Sequence, residues 1–419
     1  MPVWLRLLLT RQMLICVFTG FSSGLPLYLL LNLLPAWLRS EGVDLKTIGL
    51  FALIQFPYTW KFVWAPVLDR FRLPLGRRRG WMLVSQLGLF CSIGLLGGFS
   101  PANELTPVIW LAVVLAFLSA TQDVALDAFR REILSDRELG LGNSVHVNAY
   151  RIAGLVPGSL SLVLADLLPW VQVFWITAAF MLPGMVMVLL VSEPVVVGVP
   201  KTLRQAVVEP FHEFVGRCGW SGALLVLGFL FFYKLGDSLA TALATPFYLD
   251  LGFSKTDIGV IAKHAGLWPA VFGGLLGGLW MVRLGINRAL WLFGLVQMVT
   301  ILGFAWLAWR GVHTPVDGFD RVALAGVIAA ECLGVGLGTA AFVAYIARAT
   351  NPAFTATQFA LFTSLAAVPR TFINSTAGAL VESLGWGSFF LLCFVLAAPG
   401  MLLLLKVAPW NEFPQSPRG

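Results

Sequence analysis

Nine charged side chains interrupt stretches of this 419-residue chain that are otherwise apolar. The bases are Lys61, Arg151, Lys234, Lys263 and Arg370; the acids are Asp123, Asp127, Asp237 and Glu331. Ionisable groups are costly inside a bilayer and mark substrate or ion paths there. Nine exceed what a purely structural bundle needs. They point to a hydrated cavity, lined mainly by positive charge and suited to an anion.

The spacing of these residues suggests their chemistry. Asp123 and Asp127 stand four apart, on one helix face that continues to Arg131. One reading makes them proton carriers, since desolvation favours the neutral form of a carboxyl. The other makes Asp127 a latch to Arg130 or Arg131. Lys234 and Asp237, three apart, can neutralise each other or serve substrate and proton. Glu331 has no basic residue within a turn of its own helix, which favours it as a proton site. It precedes Gly334, Gly336 and Gly338, a ladder that permits close helix approach. Asn148 shares a face with Arg151, and Asn374 with Arg370; such stripes suit carboxylates or sugar hydroxyls. Tyr58, one turn before Lys61, is a candidate substrate contact, whereas Trp60 and Trp64 fit an interfacial role. The four histidines are scattered, and His264 lacks a matched acid for a relay.

Other chemistries find little footing. The five cysteines include no CxxC pair or His/Cys cluster, so a zinc site is not expected. No nucleophile–base constellation suggests an enzyme, and no organic cofactor or metal is called for.

Spans long enough to cross the membrane must carry these residues. The chain is 58% hydrophobic and 12% charged, with a mean hydropathy of +0.84. Soluble domains carry about 25% charged residues. Twelve apolar runs of roughly 20 residues fall at about 13–38, 48–67, 81–100, 107–129, 144–164, 170–191, 220–249, 256–282, 290–309, 321–347, 356–380 and 387–409. The fold class is therefore an all-α membrane protein with two six-helix halves, 1–191 and 220–419, joined by a cytoplasmic linker at 192–219. The first apolar run lacks a small-x-small cleavage site and reads as a retained span rather than a signal peptide. Eighteen of the 28 Lys and Arg residues flank one side and five the other, which predicts cytoplasmic termini. The net charge of +7 then belongs to membrane-flanking loops and not to nucleic-acid binding. At an offset of 210, Ile48-Gly49 matches Ile258-Gly259, Arg78 matches Arg288, and Trp81 matches Trp291. Matched entries into spans suggest parallel repeats with a substrate path between them.

After the second span the chain reads Asp69-Arg70, five residues, then Gly76-Arg77-Arg78-Arg79-Gly80-Trp81. This resembles the loop motif of the major facilitator superfamily, which implies a cytoplasmic latch of Asp69, Arg70, Arg77 and Arg78. Further segments resemble the AmpG muropeptide permeases. They are Asp44-Leu-Lys-Thr-Ile-Gly49, Lys61-Phe-x-Trp-x-Pro66, Gln122-Asp123 with Asp127-Ala128, Tyr233-Lys-Leu-Gly-Asp237, Glu331, and Phe354-Thr-Ala-Thr-Gln-Phe-Ala-Leu361. Longer members carry two more spans after the region corresponding to this C-terminus. The resemblance implies proton-driven import of anhydromuropeptides across the bacterial inner membrane. The partners would be an anionic glycopeptide, protons and lipid, and the transporter a monomer. The alternative cargo is another bulky anion such as an acyl-coenzyme A.

Overall fold

The computed structural model describes residues 9–43, 47, 51–194, 200, 202–313, 316–368 and 373–411. Among the described residues, nine helical stretches are long and apolar enough to cross a membrane. Two of them, Leu203–Asp250 and His264–Arg310, are longer than one crossing requires.

In the first half, α1 (Arg11–Ser40) is followed by the short helices α2 (Phe56–Trp60) and α3 (Ala65–Arg70). Then come α4 (Arg79–Leu96), α5 (Leu105–Ile133), α6 (Leu139–Ala165) and α7 (Trp170–Leu190). The second half holds α8 (Leu203–Phe232), α9 (Leu235–Ala242), α10 (Ala244–Asp250), α11 (Lys255–Arg310), α12 (Gly318–Ala349), α13 (Thr355–Val368), α14 (Ala377–Leu384) and α15 (Trp386–Val407).

Local sequence explains the interruptions. Gly285 breaks α11 with φ 75° and ψ 166°, a backbone that glycine adopts without steric cost. Counting α11 as two crossings, 51–70 as one and 352–384 as one gives the twelve spans expected. The second span is not one continuous helix. Pro57 and Pro66 start α2 and α3, and Lys61–Val63 forms a 3-10 turn between them. A proline fits the first turn of a helix but breaks its interior. Lys61 therefore sits at a discontinuity, where backbone groups are freed from helical bonding.

The chain divides into two compact units that do not follow the two halves of the sequence. The first comprises residues 1–135, 145–211 and 348–364; the second comprises 136–144, 212–347 and 365–419. In the first unit a core runs from Leu25, Leu29 and Trp37 to Leu115 and Phe174. A second core joins Phe129, Val188, Ala356 and Ala360. In α1, Gly20 and Gly24 lie directly against the backbone carbonyls of His146 and Tyr150, an approach any Cβ would block. The second unit centres on Phe247, Phe304, Phe389 and Phe390.

Candidate functional site

In the first unit, the close packing of α1 on α6 fixes two side chains that α1 presents one turn apart. Thr19 lies 3.1 Å from the ring of His146, and Ser23 donates a 2.6 Å hydrogen bond to Asp123. On the next turn of α5, Asp127 receives Arg130 at 2.7 Å and Lys61 at 3.8 Å. Lys61 is buried, so its ammonium has exchanged water for this carboxylate. The hydroxyl of Tyr58 lies beside Ser119 and Asp123. Arg130 stacks over Phe359 at 5.7 Å. The structure thus gathers Lys61, Tyr58, Asp123 and Asp127 into one polar cluster. Of the remaining first-half candidates, Asn148 is buried and Arg151 half-buried, both on α6.

The loop arginines form a separate knot. Arg78 is fully buried and reaches Asp69 at 2.7 Å, Glu132 at 2.8 Å and the Leu68 carbonyl at 3.1 Å. Arg77 joins Glu132 at 2.8 Å. Burial lowers the proton affinity of Arg77, with the neighbouring Arg78 charge adding to it. Burial acts on Arg78 in the same direction, but Glu132 and Asp69 outweigh it and hold its charge firmly. Asp69 also caps α13, accepting from the backbone N–H groups of Ala356 (3.2 Å) and Thr357 (2.8 Å) and from the Thr357 hydroxyl (2.7 Å). An anion at a helix N-terminus satisfies donors that have no partner within the helix. Arg70, grouped with this latch by its sequence, instead lies over the ring of Phe71 at 5.6 Å.

In the second unit, Lys234 precedes the first turn of α9 and donates to Asp237 at 3.0 Å and to Gln297 at 3.1 Å. Glu331 on α12 is 1% exposed. Asp237 and Lys234 are its charged neighbours, and Thr300 is close by. The base that Glu331 lacks within a turn of its own helix is thus supplied by Lys234 at the start of α9, although Lys234 is already engaged by Asp237. Neither oxygen of Glu331, nor Oδ1 of Asp237, has a hydrogen-bond partner among the described residues. Asn374 accepts a 3.4 Å hydrogen bond from Ser238, next to Asp237. Arg370 lies outside the described residues, as do Asp44, Ile48 and Gly49 and the side chain of Lys263. His264 is exposed.

Sequence reasoning missed Glu132, Gln297 and the buried His146. Glu132 carried a signal, as an acid at the end of a span beside an arginine-rich loop. Gln297 carried none, since a single amide in an apolar run has many ordinary explanations.

Three residues, His313, Asp317 and Asp320, come together at the start of α12 with ligand-type atoms within 4.8 Å of one another. Asp320 there already binds Arg310 at 2.8 Å and exchanges backbone hydrogen bonds with Asp317, which accounts for the cluster as a helix cap.

Comparison with known proteins fits this architecture. Residues 16–368 match the Major Facilitator Superfamily. A Haemophilus influenzae protein described as uncharacterized is 52% identical over 96% of both chains. The anhydromuropeptide permease of Escherichia coli K12 is 40% identical over 98% of this chain and 82% of its own length. The putative transporter AmpG 4 of Rickettsia conorii is 31% identical over 92% of this chain and 94% of its own. Among solved structures, the major facilitator transporter FucP in its outward conformation superposes with a TM-score of 0.73 at 13% identity, covering 97% of this chain and all of that one. The proton:xylose symporter XylE gives 0.69 at 12% identity, covering 94% of this chain and 95% of its own. Such distant structural likenesses speak for the fold, while the sequence relatives speak for descent. With both in agreement over nearly its whole length, the chain belongs to the major facilitator superfamily and, within it, to the AmpG family of permeases.

Proposed function

We propose that this protein is a proton-coupled importer of anhydromuropeptides, the N-acetylglucosaminyl-anhydro-N-acetylmuramyl peptides, moving them from periplasm to cytoplasm for cell-wall recycling. The observation that carries the reading is the 40% identity to the E. coli anhydromuropeptide permease across 98% of this chain. Membership of the superfamily makes the chain a multi-pass transporter of the inner membrane rather than an enzyme. The relatives do not favour the alternative cargo, acyl-coenzyme A.

The geometry supports an anionic substrate. Among the described residues, Lys61 and Lys234 each form an ion pair with one aspartate, at 3.8 Å and 3.0 Å. A substrate carboxylate can compete for an ammonium held in that way, forming a charge-assisted bond in its place. In this reading Lys61, Tyr58, Arg151, Asn148, Lys234, Arg370 and Asn374 receive peptide carboxylates and sugar hydroxyls. Asp123 and Glu331, with Asp237 and Asp127 beside them, carry the proton. Asp69, Arg77 and Arg78 form a cytoplasmic latch. Cytoplasmic termini, a monomeric transporter and a boundary at 192–219 complete the proposal.

Uptake into proteoliposomes tests it. A defined anhydromuropeptide should accumulate against its gradient when the outside is acidic, and a proton ionophore should abolish the accumulation. Uptake that only equilibrates, or that ignores the ionophore, would remove proton coupling. Absence of muropeptide uptake would remove the cargo.

A further inference from the structure

Lys234 is an ammonium with three donors. Asp237 Oδ2 takes one at 3.0 Å and Gln297 Oε1 a second at 3.1 Å, which among the described residues leaves one free. The lysine side chain keeps 16% of its surface exposed, while Gln297 is buried at 4%. A buried amide is costly unless it is hydrogen-bonded, and here the bond goes to the lysine.

Room for that amide comes from α12. A Cβ on Gly338 would collide with Gln297 Oε1 and lie 3.0 Å from its Cδ. A Cβ on Gly334 would lie 3.1 Å from Gln297 Cα and 3.0 Å from Thr300 Oγ1. Gly336, the rung between them, faces Ala270 and Gly274 instead. Two of the three ladder glycines therefore accommodate Gln297, and the third serves helix packing.

We propose that Gln297 is a positioning residue that aims Lys234 at a carboxylate of the substrate, and that Gly334 and Gly338 form its seat. The inference rests on the anionic-cargo reading above and adds a residue that the sequence does not mark. An amide suits the task because it accepts from the ammonium without neutralising it. A carboxylate at 297 would give Lys234 three acidic neighbours, with Asp237 and Glu331, and no charge to offer a substrate.

Two measurements test this on the full-length protein. The first needs no substrate: Lys234 is acetylated with acetic anhydride at fixed pH and its labelling rate is read by mass spectrometry. Gln297→Met keeps the volume but removes the acceptor that stabilises the charged, unreactive form. Labelling should then speed up by about threefold or more; a wild-type rate overturns the proposal. The second compares uptake of an anhydromuropeptide with that of its carboxyl-amidated counterpart. Gln297→Met should raise KM for the acidic substrate about tenfold, leave kcat nearly unchanged and spare the amidated one. Gly338→Ala, which displaces the amide while keeping Gln297, should reproduce the effect. An equal rise in KM for both substrates would mean that Gln297 serves packing alone. If the wild type takes up neither substrate, the cargo assignment fails, and the labelling rate still decides the role of Gln297.

Discussion

Around Asp127, two cations meet two carboxylates: Lys61 at 3.8 Å and Arg130 at 2.7 Å face Asp127 and its helix neighbour Asp123, which takes a hydroxyl from Ser23 at 2.6 Å. Around Lys234, a single ammonium meets Asp237 at 3.0 Å, with Glu331 close behind. An unpaired charge is far costlier in a low-dielectric interior than a paired one. The first cluster therefore sets two cations against two carboxylates. The second, among the described residues, sets one lysine against two carboxyls. Each cluster holds one of the two proposed proton carriers, Asp123 and Glu331, and the contrast makes them separable by experiment.

The largest effect belongs to the first unit's arginine knot. Arg78→Ala would leave buried Glu132 with Arg77 and buried Asp69 with the Ala356 and Thr357 donors among the described residues, where breaking a buried pair costs about 3–5 kcal/mol. A pronounced fall in melting temperature of the purified transporter is expected. Arg288, the matching residue of the second half, supplies the control. It donates to the Trp410 carbonyl at 3.4 Å and lies 5.9 Å from that ring. At the same offset of 210, Leu279 stands where the first half has Asp69, and Asn287 where it has Arg77. Arg288→Ala should cost about 1 kcal/mol or less. Equal losses from the two variants would show that the repeat preserves chemistry as well as position.

Much of this was legible in the sequence. Hydropathy located the twelve spans, i, i+3 spacing allowed for the Lys234–Asp237 pair, and Arg130, one of the two arginines left open for Asp127, pairs with it. The prolines at 57 and 66 were visible, but their consequence, a 3-10 turn at Lys61, was not read from them. Long-range partners left no trace. Asp69 finds backbone N–H groups nearly 290 positions away, and backbone donors carry no residue signature. Thr19–His146 depends on the close approach that Gly20 permits, which becomes visible only once α1 and α6 are packed.

A smaller effect is expected at Lys61. If Lys61 binds substrate as proposed, Lys61→Ala removes a charge-assisted contact to a carboxylate, worth about 1.5–3 kcal/mol. It also leaves Asp127 with Arg130 as its remaining ion-pair partner. Binding of the acidic muropeptide, followed by calorimetry, should weaken accordingly, and amidation of the substrate should cost the variant less than it costs the wild type. Equal amidation costs would place Lys61 among the groups that hold the fold or gate it, erasing its distinction from Arg130.

The smallest effect on binding, and the sharpest test of the contrast, comes from the acids. Glu331→Gln keeps the shape of a protonated carboxyl and removes both charge and titration. Because Glu331 is 1% exposed and its oxygens have no hydrogen-bond partner among the described residues, the substitution deletes a charge with little to hold it. Stability should be unchanged or slightly raised, and substrate affinity should stay close to wild type. Counterflow exchange of muropeptide should persist, since it needs no net proton movement, while accumulation driven by a pH gradient should disappear. Asp123→Asn is the counterpart in the balanced cluster. It breaks the charge match with Lys61 and Arg130, so it should lower stability, and whether pH-driven accumulation survives it decides between the two proposed proton carriers. The reverse outcome, with Asp123→Asn keeping exchange but losing uphill uptake while Glu331→Gln accumulates normally, would move proton exchange to the first unit. If both variants accumulate normally, Asp237 becomes the acid to test, because it shares Lys234 and has an oxygen without a described partner.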